Sequence, residues 1–211
     1  MDRALQGGRD PRHLHTAGVH RRGDPAGLLP HPPGTGRGEV NMKPINPWEG
    51  FVQLQENLEG NGVFLVSVDK EGRANPMTIG WGLLGTVWRR PVFLVLVRPS
   101  RFTHHLIEES GGFAVCVPKK GELCDALGFC GTHSGRQVDK VRELGLELLP
   151  GRKGRVPLLA GCAVHYECRV VAQTRLAQGK LFSPEIQARY YPEGDLHTLF
   201  FGEILAAWRA A

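Results

Sequence analysis

The stretch FLVLVRPSRFTHHL, Phe93 to Leu106, decides how the chain is interpreted. The six apolar residues Val92 to Val97 predict a strand that is buried on both faces. The chain then breaks at Arg98-Pro99-Ser100-Arg101 and resumes as a predicted helix over about 101–110, which ends at Gly111-Gly112. Two arginines and two hydroxyl groups thus gather where a core strand ends, and the pattern raises the question of what they bind.

Composition sets the broad class. The chain has 211 residues, of which 41% are hydrophobic and 22% are charged, so it suits one globular domain with or without a tail. A net charge of +5 permits an anionic ligand but does not by itself indicate nucleic-acid binding. No apolar run has the length of a membrane span, and the five cysteines do not resemble a disulfide framework. We expect a cytoplasmic protein with reduced thiols and with neither nucleic-acid nor membrane partners.

Residues 1–41 differ from the rest of the chain. They contain eight glycines, five prolines, six arginines and four histidines, and they lack Phe, Tyr, Trp, Ile and Lys. Such a segment buries too little apolar surface to offset its ordering entropy, so we predict that it is disordered. It is either a basic tail or a non-native extension ahead of a start at Met42. The folded domain is predicted over 42–211.

Strand patterns dominate the remaining sequence. Val63 to Val68 and Asn75 to Trp81 predict two strands joined by a turn at Asp69–Gly72. Further strands are predicted at 113–117, 162–172 and 196–207, with helical pieces between 120 and 146. Strands outnumber helices and show no βαβ alternation, which favours a mainly β (α+β) fold, an antiparallel Greek-key barrel with short helices outside.

The break after the strand has the chemistry of an anion site. Ser100 stands where a helix N-cap is expected, and the first turn of the helix offers free N–H groups and a positive dipole end. Ser100, Arg101 and Thr103 add side-chain donors at the same place, which suits a phosphate. The alternative is an ordinary capped helix whose arginines pair with surface carboxylates.

The preceding strand suggests a second part of the same site. In NPMTIGWG, alternation puts Met77, Ile79 and Trp81 on one face and Thr78, Gly80 and Gly82 on the other. A face made of one threonine and two glycines is bare, and bare faces accompany a ligand or another backbone at close range. A flat aromatic cofactor would fit there. The alternative is a barrel bend that requires glycine for curvature.

Four segments resemble the flavoredoxin branch of the flavin reductase-like family: NPMTIGWG, PVFLVLVRPSRFTHHLIEESGGFAV, CGTHSGRQVDK and DLHTLFFGEI. They occur in the family's order and spacing from about Trp48 to Ala207. The resemblance implies an FMN-binding split β-barrel, a homodimer and a flavin site near the subunit interface.

The resemblance also implies the roles of individual residues. Met77, Thr78, Ile79, Gly80 and Trp81 would line the flavin ring and ribityl chain. The phosphate would be held by Arg98, Ser100, Arg101 and Thr103, and the flavin would be covered by Ser134, Gly135, Arg136 and Lys140. Where the family often has a tyrosine in the phosphate motif, this chain has Phe102. Lys140 is alternatively a solvated helix lysine.

Other motifs are weaker signals. CAVHYEC offers two cysteines and a histidine, but strand alternation puts His165 on the face opposite Cys162 and Cys168, so no metal site is predicted. Cys124 and Cys130 are expected to be structural thiols. His197 is the histidine expected nearest the flavin and the candidate catalytic residue, the alternative being a hydrogen-bonded barrel histidine.

Two functions fit these predictions. The first is an NAD(P)H-dependent FMN oxidoreductase that accepts hydride from NADH or NADPH and passes electrons to an acceptor protein or to free flavin. The second is an FMN electron carrier without NAD(P)H oxidase activity. A phosphate-binding module without redox chemistry would leave the bare strand face unexplained.

Overall fold

A computed structural model describes residues 41–210 of the chain. The N-terminal segment predicted over residues 1–41 therefore lies outside the described residues, apart from Asn41. The strands are β1 Met42–Ile45, β2 Val63–Val68, β3 Ala74–Ile79, β4 Gly82–Val87, β5 Arg90–Val97, β6 Gly112–Pro118, β7 Leu148–Leu149, β8 Leu158–Leu159, β9 Cys162–Arg175 and β10 Thr198–Ala210. The helices are α1 Phe51–Glu59, α2 Phe102–Ser110, α3 Cys124–Thr132, α4 Lys140–Glu143 and α5 Pro184–Tyr190, and a 3₁₀ turn covers Pro47–Gly50.

Eight strands form one antiparallel sheet. The order is β3-β2-β6-β9-β10-β5-β4, with β1 pairing along β10, while β7 and β8 make a separate two-stranded ribbon. The two edge strands of the order, β3 and β4, are consecutive in sequence and are joined by only Gly80 and Trp81. Because that connection is so short, the sheet must curl until its two edge strands lie next to each other at the connection, and the predicted antiparallel barrel is confirmed.

Alternation along the strands divides the apolar residues between two cores. Inward-facing residues of β2, β5 and β6, such as Leu65, Phe93 and Val115, form the inner core. Buried side chains of α1 and α2 pack against them. Outward-facing residues such as Phe64 and Cys116 pack under α3 and the β7–β8 ribbon. A strand that is buried on both faces has a continuous run of apolar residues. This explains why β2 could be predicted from the sequence.

Several predicted elements are confirmed. Strand β2 has the predicted limits, the turn at Asp69–Gly72 is closed by a bond from Gly72 N to Asp69 O, and α2 ends at Gly111, whose φ of +68° suits glycine. The sequence patterns missed β1, β4, β7, β8, α1 and α5. Within residues 41–210, no helix has the length and apolar character needed to cross a bilayer.

Candidate functional site

A cavity of about 220 Å³ opens where the barrel edges separate. Strand β4 pairs with β5 only as far as Gly82 opposite Val95, so Leu96 and Val97 of β5 pair with no strand of residues 41–210 on that side. Strand β3 approaches the same gap from the other edge. The cavity is lined by Met77, Thr78, Ile79, Gly80, Trp81, Leu96, Val97, Arg98, Arg101 and His197. Eight of these residues belong to the set predicted from the sequence.

A second cavity, of about 300 Å³, lies within the segment between β9 and β10. Its lining comes from residues 178–196 and includes no lysine, arginine or histidine. An anionic cofactor therefore has its counter-charges in the smaller cavity, which we take as the candidate site.

The predicted bare strand face is wrong. Strand β3 ends at Ile79, and the chain bends at Gly80 instead of continuing to Trp81. The Thr78 hydroxyl donates to Leu127 O of α3 at 2.6 Å, so helix α3 covers that side of β3. Gly82 belongs to β4, where a Cβ would lie 2.9 Å from the ring of Phe93 in the inner core. Only Gly80 keeps open space, since its nearest neighbour would be Leu58 O at 3.8 Å.

The start of α2 also differs from the prediction. Its N-cap is Arg101, not Ser100, and no side chain in the described part of the chain caps the helix. The Ser100 hydroxyl instead donates to the Asp195 carboxylate at 2.5 Å. Thr103 is buried, and its hydroxyl accepts a bond from Asn75 Nδ2 at 2.9 Å. The uncapped start leaves first-turn N–H groups available to an anion beside the Arg101 side chain.

Two cations meet at the end of α3. The Arg101 guanidinium donates to Gly131 O at 2.5 Å, and Lys140 Nζ donates to Cys130 O at 3.4 Å. Lys140 is only 3% exposed, so its alternative reading as a solvated lysine is wrong. Burial, with a smaller contribution from the charge of Arg101, lowers the pKa of Lys140 to about 8.

What the site can bind depends on how the charges of Arg101 and Lys140 are balanced. Among residues 41–210, no carboxylate forms an ion pair with Arg101 or Lys140. The C-terminal end of α3 carries about half a negative charge, which offsets only a fraction of two positive charges. The remaining positive charge fits a phosphate, and so the donor set is suited to the phosphate of a flavin mononucleotide.

The predicted covering segment lies against the start of α2. Arg136 donates to Ser100 O at 3.1 Å, and its guanidinium lies 5.1 Å from the centre of the Phe102 ring. A Cβ at Gly135 would overlap the Asn75 side chain, which explains why glycine stands there. Ser134 accepts a bond from the Arg136 amide through its hydroxyl. The phosphate-motif and covering residues are thus neighbours. Of these predicted residues, Arg98 and Arg101 line the cavity itself, whereas the others do not: Ser100, Thr103, Ser134, Gly135, Arg136 and Lys140.

Arg98 ties down the segment between β9 and β10. Its guanidinium donates to Tyr190 O at 2.6 Å and to Asp195 O at 2.9 Å, and it lies 5.2 Å from the centre of the Tyr191 ring. These carbonyls take up part of the hydrogen-bonding capacity that the resemblance assigned to phosphate. Tyr190, Tyr191 and Asp195 were missed because their contacts with Arg98 join residues more than 90 positions apart.

An aromatic cluster borders the cavity. The Trp81 ring lies 5.0 Å from Tyr190 edge-on and 5.2 Å from His197, measured between ring centres. His197 is buried, and its Nδ1 lies 2.8 Å from the Tyr191 hydroxyl. Burial and the nearby charge of Arg98 lower the pKa of His197 to about 4, so the imidazole is neutral at pH 7.

The face assignment within CAVHYEC needs one correction. A register shift lies between the pairs Val117–Val164 and Pro118–Cys162. Because of it, Cys162 packs in the outer core with Cys116, while Cys168 remains in the inner core. Burial raises the pKa of the Cys116 thiol to about 12, which keeps it protonated and unreactive.

Comparisons with known proteins agree with this geometry. Residues 58–211 match the family model described as "Flavin reductase like domain". An uncharacterized protein of Archaeoglobus fulgidus is 35% identical over 161 residues, which cover 76% of this chain and 75% of that protein. Among solved structures, flavoredoxin from Methanosarcina acetivorans is 30% identical with a TM-score of 0.53, covering 70% of this chain and 68% of that one. An FMN-binding protein from Thermus thermophilus is 29% identical with a TM-score of 0.54, covering 70% of both chains.

Proposed function

We propose that this chain, which belongs to the flavin reductase-like family, is an FMN-dependent oxidoreductase that accepts hydride from NADH or NADPH and passes the electrons on. The observation that carries the proposal is the pair of cations Arg101 and Lys140, which lack a carboxylate partner among residues 41–210, beside the uncapped start of α2. FMN offers a phosphate for that charge and a flat ring for the cavity.

Each part of the site has a defined task in this proposal. Arg101, Lys140 and the first-turn N–H groups of α2 bind the phosphate, while the backbone of Ile79, Gly80 and Trp81 borders the ring. When bound, FMN supplies the hydride-accepting and electron-transferring chemistry. Trp81 and His197 border the space in which a nicotinamide would stack on the flavin, and His197 orients the carboxamide of that nicotinamide. Close stacking lowers the barrier, because hydride transfer requires the reacting atoms within about 3–3.5 Å.

Small carbonyl compounds are a second class of acceptor for the same cavity. Structures of the Thermus thermophilus FMN-binding protein contain bound 1-cyclohex-2-enone and p-hydroxybenzaldehyde. Both compounds carry a carbonyl oxygen. Trp81 and His197 together offer an aromatic surface for the ring and an imidazole nitrogen that can form a hydrogen bond with that oxygen. An acceptor protein and free flavin remain further candidates for the electron acceptor.

One observation favours the second function, an FMN electron carrier without NAD(P)H oxidase activity. Arg98 and Ser100 hold the segment around Tyr190 to Asp195 against the cavity, and the Tyr190 ring packs on Trp81. A segment fixed in this way restricts the space above a bound ring. If it excludes nicotinamide, only small reductants or electron transfer at the ring edge would reduce the flavin.

Anaerobic stopped-flow spectroscopy distinguishes the two functions. Protein loaded with FMN is mixed with NADH or NADPH, and the visible flavin absorbance is followed, with dithionite as the positive control. The oxidoreductase predicts saturable bleaching by at least one nicotinamide. The oxidoreductase is refuted, and the carrier supported, if dithionite bleaches the flavin at once but neither NADH nor NADPH bleaches it within minutes.

The homodimer expected from the resemblance has a matching surface, which we include in the proposal. On the outer face of the barrel, Leu83, Leu94 and Phe201 are neighbours across β4, β5 and β10. Leu83 is 67% exposed, and Trp88, whose ring lies 6.0 Å from that of Phe201, is 61% exposed. Such a contiguous apolar surface is suited to a second copy. Sedimentation should give a dimer for the wild type and a monomer for Leu83→Glu, and a monomeric wild type would refute this part.

A cytoplasmic location also remains a proposal. All five cysteines are unpaired in the structure, and four of them are buried. Reduced thiols of this kind suit a reducing compartment.

A further inference from the structure

His197 presents its two ring nitrogens to different surroundings. Nδ1 lies 2.8 Å from the Tyr191 hydroxyl, inside the protein. For Nε2, no hydrogen-bond partner is found in the described part of the chain, residues 41–210, and the residue lines the candidate cavity. The nitrogen that a ligand can reach is therefore the one without a protein partner.

The hydrogen bond between Tyr191 and His197 has a preferred direction. The ring of His197 is neutral near pH 7, so only one of its nitrogens carries a proton. Burial raises the pKa of Tyr191, so its hydroxyl keeps its proton and can donate. A phenol is a stronger acid than a neutral imidazole N–H, and this favours donation from the tyrosine to Nδ1. The proton of the imidazole then resides on Nε2.

Arg98 keeps Tyr191 in the position to donate. Its guanidinium binds the carbonyls of Tyr190 and Asp195, which lie before and after Tyr191 in the chain, and it packs against the Tyr191 ring. The charged groups around His197 are Arg98 and Asp195, and the Asp195 carboxylate accepts the Ser100 hydroxyl. The positive charge of Arg98 opposes protonation of the imidazole on both nitrogens. His197 is thus held neutral and in one orientation.

We propose that Tyr191 is a positioning residue that fixes His197 as the tautomer with its proton on Nε2, so that the site presents a fixed N–H donor to a carbonyl or carboxamide oxygen. The identity of the approaching group rests on the proposed function, whereas the tautomer does not. In this arrangement His197 donates a hydrogen bond and transfers no proton. The task assigned to His197 is therefore orientation and not general acid–base catalysis.

The tautomer can be measured directly on the full chain. Long-range ¹H–¹⁵N correlation spectra of protein with ¹⁵N-labelled histidine distinguish the two nitrogens, and the signals of His197 are assigned by their loss in His197→Gln. We expect Nε2–H at pH 7 in the wild type and a mixture of tautomers in Tyr191→Phe. Tyr190→Phe is the matched control, because it removes a neighbouring hydroxyl that makes no bond to His197. A wild-type His197 protonated on Nδ1, or a Tyr191→Phe spectrum identical to that of the wild type, would overturn the proposal.

A kinetic measurement separates positioning from a purely structural role. In Tyr191→Phe the KM for the preferred nicotinamide should rise about tenfold, the worth of one hydrogen bond, while the Kd for FMN stays unchanged. Equal losses of FMN and nicotinamide affinity would show that Tyr191 only supports the fold. If nicotinamide does not reduce the flavin at all, that result contradicts the proposed function alone. The tautomer spectra still test the role of Tyr191. If Tyr191→Phe does not fold, Tyr191→Met takes its place, since it also lacks the hydroxyl, and a wild-type His197 with its proton on Nδ1 overturns the proposal without any variant.

Discussion

Replacing Arg101 by alanine tests the phosphate assignment most directly. The change removes one guanidinium from the pair of unbalanced cations at the end of α3 and leaves the backbone N–H groups of α2 in place. A charge-assisted hydrogen bond is worth about 1.5–3 kcal/mol, so FMN should bind about 10- to 150-fold more weakly. Riboflavin lacks the phosphate, and its affinity should change little.

The folded protein should tolerate this substitution. The bond from Arg101 to Gly131 O is lost, which costs about 1.5 kcal/mol, the lower end of the range for a charged donor, because the pair is only partly buried. Lys140 is at the same time relieved of a repulsive neighbour, which offsets part of that loss. Denaturation of the apoprotein should therefore report a small change, and any large change in FMN affinity belongs to the site.

The assay titrates wild type and variant with FMN and with riboflavin, following the flavin fluorescence at low and at high salt. Arg142→Ala is the matched control, since it removes the same charge from an exposed position of α4 two residues from Lys140. The FMN preference of the wild type should shrink with salt, because salt screens exposed charges. Equal losses of FMN and riboflavin affinity in Arg101→Ala would refute the phosphate assignment. The assignment would also be refuted if Arg142→Ala weakened FMN binding as much as Arg101→Ala does.

Two further predictions concern the candidate site. Lys140 has a pKa of about 8 in the folded protein and 10.5 unfolded, so the unfolded chain holds the extra proton between these pH values and the stability of the apoprotein should rise across that window. Lys140→Met should remove this rise in urea denaturation and weaken FMN binding, and an unchanged rise in the variant would contradict the burial of the charge. Gly80→Val should fold normally, because a Cβ there meets only Leu58 O at 3.8 Å, yet it should lose FMN binding by filling the space bordering the ring. Normal FMN affinity in folded Gly80→Val, measured by the same titration, would show that the ring lies elsewhere.

The sequence predicted the elements whose signals are local. Strand β2 is apolar at every position but Ser67, and α2 ends at a glycine with positive φ, so both have limits close to those expected. The bend at Gly80 was not predictable in the same way. Met77, Ile79 and Trp81 continue the alternation of a strand, and only the packing of Thr78 on α3 and of Gly82 on Phe93 shows that the strand has ended.

Within the site, local signals found the groups but not their partners. Arg98, Ser100 and Arg101 belong to one motif in the sequence. The motif does not predict which partner each of the three side chains contacts. The structure directs Arg98 and Ser100 to the segment before β10, through Tyr190 and Asp195, while Arg101 faces α3. The burial of Lys140 likewise depends on the distant end of α3. Such contacts arise from tertiary packing, which has no periodic signature in the sequence.

The location of the site follows from the two-residue connection between β3 and β4. A connection of this length brings the first residues of β4 within a few ångströms of the end of β3, and so β4 begins only opposite Val95 of β5. Beyond that point β5 continues through Leu96 and Val97 with β10 on one side only. Backbone groups that face the gap need partners, since unpaired N–H and C=O groups are costly when they are removed from water. A flat ligand with a polar edge would meet that need, and Arg101 and Lys140 at the end of α3 are suited to one that carries a phosphate, as we propose for FMN. We therefore expect FMN to stabilise the protein against thermal unfolding more than riboflavin does at the same concentration, by a margin that Arg101→Ala abolishes.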